Sequence, residues 1–340
     1  METDPAAVSG LVSDAERLSS PWHRAAETRA TDPGSRAGSL LDDHVFLIGR
    51  PPLGEFLGFV RLVAVEGQKV SQRQLAEEWR RANDHVREFE TREAGWADNP
   101  EIQALPAEAS ELNQRLLADP MLKQSFQVVP TSVGMVELDR LVVFQKQINL
   151  SFVKSLQEAL GREPDFERVF RFCLPFDHPH PPAQIMQMAG NAFTFISHSN
   201  DLRFLDASLF DPVQILGYAP QGPAVAVVGL VVGYGSNFLN AALIEGRLVL
   251  GNGSHRAYAL REIGITRVPC LIQHVTRRDE LEVLGFGDLH KNADNYLKSP
   301  RPPVLKDYFD PELRKLVQVP RKLRQVRITF GVEQVDIPAG

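Results

Sequence analysis

Cysteine is nearly absent from this 340-residue chain: Cys173 and Cys270 are the only two, and they form no C-x-x-C pair. A disulfide framework and a cysteine-rich metal site are both excluded on that count. Long apolar runs are missing as well, none reaching the roughly 18 residues that a membrane span needs. Positive charge is in deficit, with 37 Lys+Arg against 43 Asp+Glu and a net charge of −6. That balance removes any bulk attraction to nucleic acid or anionic lipid and leaves such binding to a local basic patch. The opening Met-Glu-Thr-Asp has neither the basic region nor the apolar stretch of a secretory signal. These absences predict a soluble, unexported, cytoplasmic protein with no membrane contact. Its length suits two domains, or one core with extensions.

What is present changes along the chain. Residues 1 to about 40 are rich in Ala, Ser, Asp, Glu and Arg without periodicity, the composition of a mobile tail. From 41 to 165 the reading is a helix-rich region. His44 to Gly49 reads as a strand stopped by Arg50-Pro51-Pro52, and Leu57 to Val65 as a second strand. Ser71-x-x-Gln74 has the form of a capping box, and Leu75, Trp79, Ala82, Val86 and Phe89 follow at helical spacing. That spacing predicts a long helix ending near Gly95. Further helices are expected over 106–118 and 149–160, the latter closed by Gly161.

The second half turns to strands: 193–196, 224–232, 238–244, 247–250 and 268–275. Glu245-Gly246 fits a two-residue hairpin turn between two of them. Helices are expected again over 277–284 and 311–317, and the alternation of Val326-Arg327-Ile328-Thr329-Phe330 closes the pattern. The fold class is therefore α+β. The expected division is a tail (1–40), a helix-rich region (41–165), a small mixed-sheet domain (166–300) and a C-terminal extension (301–340).

Chemistry concentrates at Gly251-Asn252-Gly253-Ser254-His255-Arg256. A strand there ends in a glycine turn that opens a short helix through Ala257, Leu260 and Ile263 to Gly264, after which Val268-Pro269-Cys270 re-enters a sheet. Such a turn presents backbone N–H groups to an anion, phosphate first of all. Ser254 suits an N-cap. Arg256 adds a planar cation able to grip phosphate through two parallel hydrogen bonds, and His255 can donate a hydrogen bond or a proton near neutral pH.

On these residues the segment resembles the ParB/sulfiredoxin superfamily, in which a hairpin leads into a Gly-x-His-Arg-like turn, a short helix and a Val-Pro strand. The resemblance covers about residues 200–276, with its specific part at 246–272. It implies a small mixed-sheet domain with a nucleotide-phosphate site: Gly251, Asn252, Gly253 and Ser254 as cradle, His255 and Arg256 as charged contacts, and His255 as the catalytic candidate. A nucleoside triphosphate, with or without Mg2+, is the implied ligand, and hydrolysis or phosphoryl transfer the implied extension. Ser254 stands where sulfiredoxins carry their catalytic cysteine, so the thiol chemistry of sulfinic acid repair is disfavoured. Asn252 replaces the aspartate of the serine-kinase branch, so phosphoryl transfer requires another acid such as Asp206, Asp211 or Glu245.

Rival readings stay open. Arg314, Lys315, Arg321, Lys322, Arg324 and Arg327 form the one strong basic cluster, and through Arg321, Lys322 and Arg324 a partition-type or regulatory protein could touch DNA or an acidic protein. A scaffold with a degenerate motif is the third reading. Asp177-His178-Pro179-His180 holds three possible metal ligands but lacks an evident fourth. Asp288, His290, Asn292 and Asp294 read as solvated loop, and both cysteines as buried and inert.

Overall fold

The computed structural model describes residues 40–65, 67–188, 191–215 and 222–338, so the expected tail falls, but for Leu40, outside the described residues. The first strand, β1 (Leu41–Leu47), buries Val45, Phe46 and Leu47. Helix α1 follows over Leu53–Val63, with Phe56 and Val60 buried. This corrects the strand expected at 57–65: Leu53, Phe56, Leu57 and Val60 recur at three- and four-residue steps, the period of a helix. Helix α2 (Gln72–Arg92) buries Leu75, Ala82, Val86 and Phe89. These side chains pack with Phe46, Ile48, Phe56, Val60 and Leu313 into one core. Ser71 is its N-cap but makes no side-chain cap bond, so the expected capping box does not form.

Helices α3 (Ser110–Ala118) and α4 (Pro120–Ser125) lead into β2 (Thr131–Glu137) and β3 (Gln147–Asn149). Asn149 caps α5 (Leu150–Leu160), accepting from Phe152 N at 2.9 Å, and Gly161 at φ +87° ends it as expected. Helix α6 (Phe166–Cys173) precedes β4 (Ala183–Met188), β5 (Ala192–Ser197), β6 (Arg203–Phe210) and β7 (Val227–Gly233). The hairpin of β8 (Asn240–Ile244) and β9 (Arg247–Asn252) turns at Glu245 and Gly246, whose φ values of +48° and +76° are those of the predicted two-residue turn. Then come α7 (Ser254–Glu262), β10 (Arg267–His274) and the short helices α8 (Glu280–Val283), α9 (Gly287–Lys291) and α10 (Ala293–Leu297). Strands β11 (Arg314–Pro320) and β12 (Arg324–Thr329) end the order.

Helices and several sheets together make the fold α+β. One sheet has the order β11-β1-β3, a second β2-β10-β8-β9, a third β12-β5-β4, while β6 and β7 form a two-stranded ribbon. In the second sheet β10 runs parallel to β8 and antiparallel to β2. Strand β11 corrects the helix expected at 311–317: it pairs with β1 from Leu47↔Arg314 to Leu41↔Pro320, a tertiary pairing that no local propensity reveals. The helix expected at 277–284 shrinks to the single turn of α8.

The boundaries expected at 165 and 300 both cut through sheets, since β2 joins β8–β10 and β1 joins β11. Contacts divide the chain elsewhere: Leu40–Leu205 with Val232–Gly340 is one compact unit, and Asp206–Val231 belongs to another. In the latter, Asp211 caps the turn Pro212–Gln214 through Val213 N at 3.0 Å. The former is built on an apolar core that spans β2, β8, β9, β10, α5, α6 and α7 and includes Cys173 and Cys270, both buried.

A buried ion pair fastens the segment after α10. Arg301 is 0% exposed and meets Asp307 at 2.7 and 2.5 Å and Glu93 at 3.1 Å. Breaking such a pair strands a charge in the interior. Asp307→Ala is therefore expected to lower the unfolding free energy by about 3–5 kcal/mol, and the double change Arg301→Met with Asp307→Leu to recover most of it. Urea denaturation of the three proteins checks this.

Candidate functional site

Strand β9 ends at Asn252 and α7 begins at Ser254, with Gly253 between them at φ +95°. That left-handed backbone favours glycine and lets the chain reverse in one residue. Gly253, not Ser254, is the N-cap; Ser254 is the first helical residue, buried, and no side-chain cap bond is made. The capping role expected of Ser254 is thus corrected. Asn252 is pinned at both ends of its amide: Oδ1 accepts from Gly253 N at 2.8 Å and Nδ2 donates to Ser236 O at 3.0 Å.

Arg256 does not stand at an exposed helix start. It is 6% exposed, and its Nη1 donates to Phe172 O (3.1 Å), Cys173 O (3.0 Å) and Asn237 O (2.7 Å). Two of these carbonyls end α6, where the helix dipole places partial negative charge. Its Nη2 is buried without a partner. Burial lowers its pKa to about 10, which leaves it cationic at neutral pH. Burial also pushes the Cys173 thiol up to about 12 and raises that of Cys270, so both remain neutral thiols as expected.

His255 is likewise committed inward. Its Nε2 accepts the backbone N–H of Asn149 at 3.0 Å, and its ring meets Phe152 edge-on at 5.4 Å. Burial, followed by the neighbouring His44 and Arg256, holds its pKa down at about 4. The ring is neutral at physiological pH and its basic nitrogen is occupied. This geometry removes the proton-transfer role expected of it.

Beside the turn a cleft of about 310 Å3 opens on Gly251 and Asn252, while Ser254, His255 and Arg256 do not line it. A Cβ at Gly251 would lie 2.4 Å from the Phe286 ring and 2.5 Å from Asn240 Oδ1, so glycine is what lets both approach the strand. Asn240, Gln273, Ser236, Asp201 and Arg203 contribute the polar lining that the sequence reading missed. Arg203 is the one cation among the lining residues; it lies 3.5 Å from Asp201, whose Oδ2 accepts Gly235 N at 2.9 Å. Gln273 had one signal in the sequence: it interrupts the apolar run Val268 to Ile272.

The other candidates are held in structural pairs. His178 Nε2 meets Asp119 Oδ2 at 2.8 Å, and among the described residues there is no group of three side chains suited to a metal. Arg278 binds Glu245 at 2.5 Å and Asp294 at 2.7 Å, its carbonyl faces His290 Nδ1, and Asp206 accepts from Ser208 Oγ. In the basic cluster, Arg321 pairs with Asp42 (2.7 Å), Lys315 pairs with Glu78 (2.7 Å), and Arg324 donates to Leu202 O (3.3 Å). Lys322 and Arg327 are exposed. Among the described residues no helix is long and apolar enough to cross a membrane.

A scan against protein-family models finds no match, and searches of curated proteins and of solved structures return no similar chain.

Two outcomes follow from the inward-facing turn. Arg256→Ala takes the Nη1 donor from the carbonyls of Phe172 and Asn237, while Cys173 O keeps its bond from Leu239 N, and is expected to cost about 2 kcal/mol or more, at about 1–3 kcal/mol for each unsatisfied group; chemical denaturation measures it. His255 has a folded pKa below its unfolded value, so the unfolded state binds more protons between them. Stability is then fully present above pH 6.5 and lost as pH falls toward 4. His255→Gln is expected to flatten that part of the stability profile, and an NMR titration of the ring to place its midpoint near 4.

Proposed function

We propose that this protein binds a nucleotide through its phosphate in the cleft that opens on Gly251 and Asn252. The observation that carries the reading is Arg203, the one cation among the lining residues. A guanidinium at a phosphate forms charge-assisted, two-pronged hydrogen bonds. Support comes from the start of α7, where the first intrahelical bond is Ala257 N to Gly253 O at 2.8 Å. The N–H groups of Ser254, His255 and Arg256 precede it and give this end of the helix partial positive charge. The order of hairpin, glycine turn, helix and Val268-Pro269 strand, which resembles a ParB/sulfiredoxin-like domain, also favours the reading.

The proposal is binding, without hydrolysis or transfer. His255 is neutral and occupied, and the lining offers Mg2+ one carboxylate, Asp201. Any Mg2+ would therefore arrive on the phosphates and would not be held by a dedicated cage.

Nucleoside mono-, di- and triphosphates, with and without Mg2+, are expected to raise the melting temperature of the wild-type protein, because a ligand selective for the folded state stabilises it. Arg203→Ala is expected to weaken the tightest of them about 10- to 150-fold by calorimetry, the equivalent of about 1.5–3 kcal/mol. The apo protein should lose no more than about 1 kcal/mol, since the Arg203–Asp201 pair is solvent-exposed. No thermal shift with any nucleotide overturns the reading.

A further inference from the structure

Gln273 brings a carboxamide to this cleft. It is 4% exposed, flanked by β2 and β8 through Thr131 and Ala242, and lines the cleft. Its carboxamide is not among the fully enclosed polar groups left without a partner, so it is open to the cleft that it lines. An amide that opens on a cleft offers a ligand two N–H donors and an oxygen acceptor. Asn240 stands with it, 7% exposed; its Nδ2 donates to Phe238 O at 3.2 Å, while Oδ1 is placed against Gly251 at the cleft wall.

We infer that Gln273 and Asn240 read the edge of an amino-bearing nucleobase, with an exocyclic amine beside a ring acceptor, as in adenine. The amine has two hydrogens, one for Gln273 Oε1 and one for Asn240 Oδ1, and the ring nitrogen accepts from Gln273 Nε2. A carboxamide pairs with an adenine edge in this two-pronged way. Phosphate cannot replace such a partner, because it presents acceptors alone and leaves both amide oxygens unmet. A keto base puts an oxygen where the amine stands and sets it against those same oxygens. A site built on polar groups rejects the analogue that lacks the matching group more strongly than an apolar pocket rejects a size change. The inference rests on the nucleotide reading for its ligand class, but Gln273 and Asn240 carry it without Arg203.

The test compares adenosine with inosine, in which an oxo group replaces the amine and the adjacent ring nitrogen carries a proton, on the full chain by calorimetry; inorganic tripolyphosphate serves as the phosphate probe. Wild type is expected to bind adenosine at least about tenfold more tightly than inosine. Gln273→Leu, close in shape, should erase the preference and leave tripolyphosphate affinity unchanged. Equal affinities in wild type, or a preference that survives in a folded Gln273→Leu protein, overturn the inference while the phosphate reading stands. Adenosine selectivity with no tripolyphosphate binding removes the phosphate reading and keeps the inference. If Gln273→Leu does not fold, the wild-type comparison decides alone, and no binding of any probe overturns both.

Discussion

A guanidinium buried without a carboxylate holds the centre of this protein together. Arg256 reaches from the first turn of α7 to the last carbonyls of α6 and to Asn237 before β8. Leu239 N adds a second bond to Cys173 O at 2.8 Å. The end of one helix, the start of another and the entry to a central strand therefore meet at one cation. The charge is tolerated there because carbonyl dipoles surround it, two of them from the negative end of a helix. The same commitment shapes the chemistry of the turn: Nη1 is spent on three carbonyls, and Arg256 does not line the cleft.

His255 obeys a parallel logic. Its Nε2 satisfies the backbone N–H of Asn149, the residue whose own side chain caps α5. Charging the ring would break that bond and leave a cation beside Arg256 and His44, which is why its pKa is depressed. The two most reactive residues of the motif thus fasten α7 to the elements on either side of it. What opens on the cleft is Gly251 and Asn252, and the rest of its lining comes from other elements.

Much of the fold was legible in the sequence. The α2 stripe, the Asn149 and Gly161 ends of α5, the Glu245-Gly246 turn and the β9–α7–β10 order all rest on local rules of period, capping and positive φ. The errors have one physical source. Strand β11 forms because β1 offers it an edge, and sheets cross the expected boundaries because β2 and β1 find partners more than a hundred residues away. Within the basic cluster, Lys315 and Arg321 are paired with Glu78 and Asp42 from distant elements, which adjacency in sequence does not show. The helix over Leu53–Val63 is the exception, since its three- and four-residue spacing is itself readable in the sequence.

The turn motif drew attention through charge, and charge is a poor guide to a binding site in a folded chain. A cation or an imidazole near a glycine turn has the whole interior to bond with, and here both did so. A binding site needs polar groups that the fold has positioned and left open to a ligand, because only those gain more from a ligand than from their neighbours. Gln273 and Asn240 meet that condition, and neither carries charge or belongs to a motif. Their legibility in sequence is slight for a physical reason. One amide in an apolar strand is a small compositional signal until the sheet opens it on the same cleft as Asn240 and Gly251. The cleft exists because Gly251 has no Cβ to fill the space against Phe286 and Asn240. The glycine of the motif thus serves the site through the room it leaves for Asn240 and Phe286, while Arg256 and His255 of the same motif serve the fold.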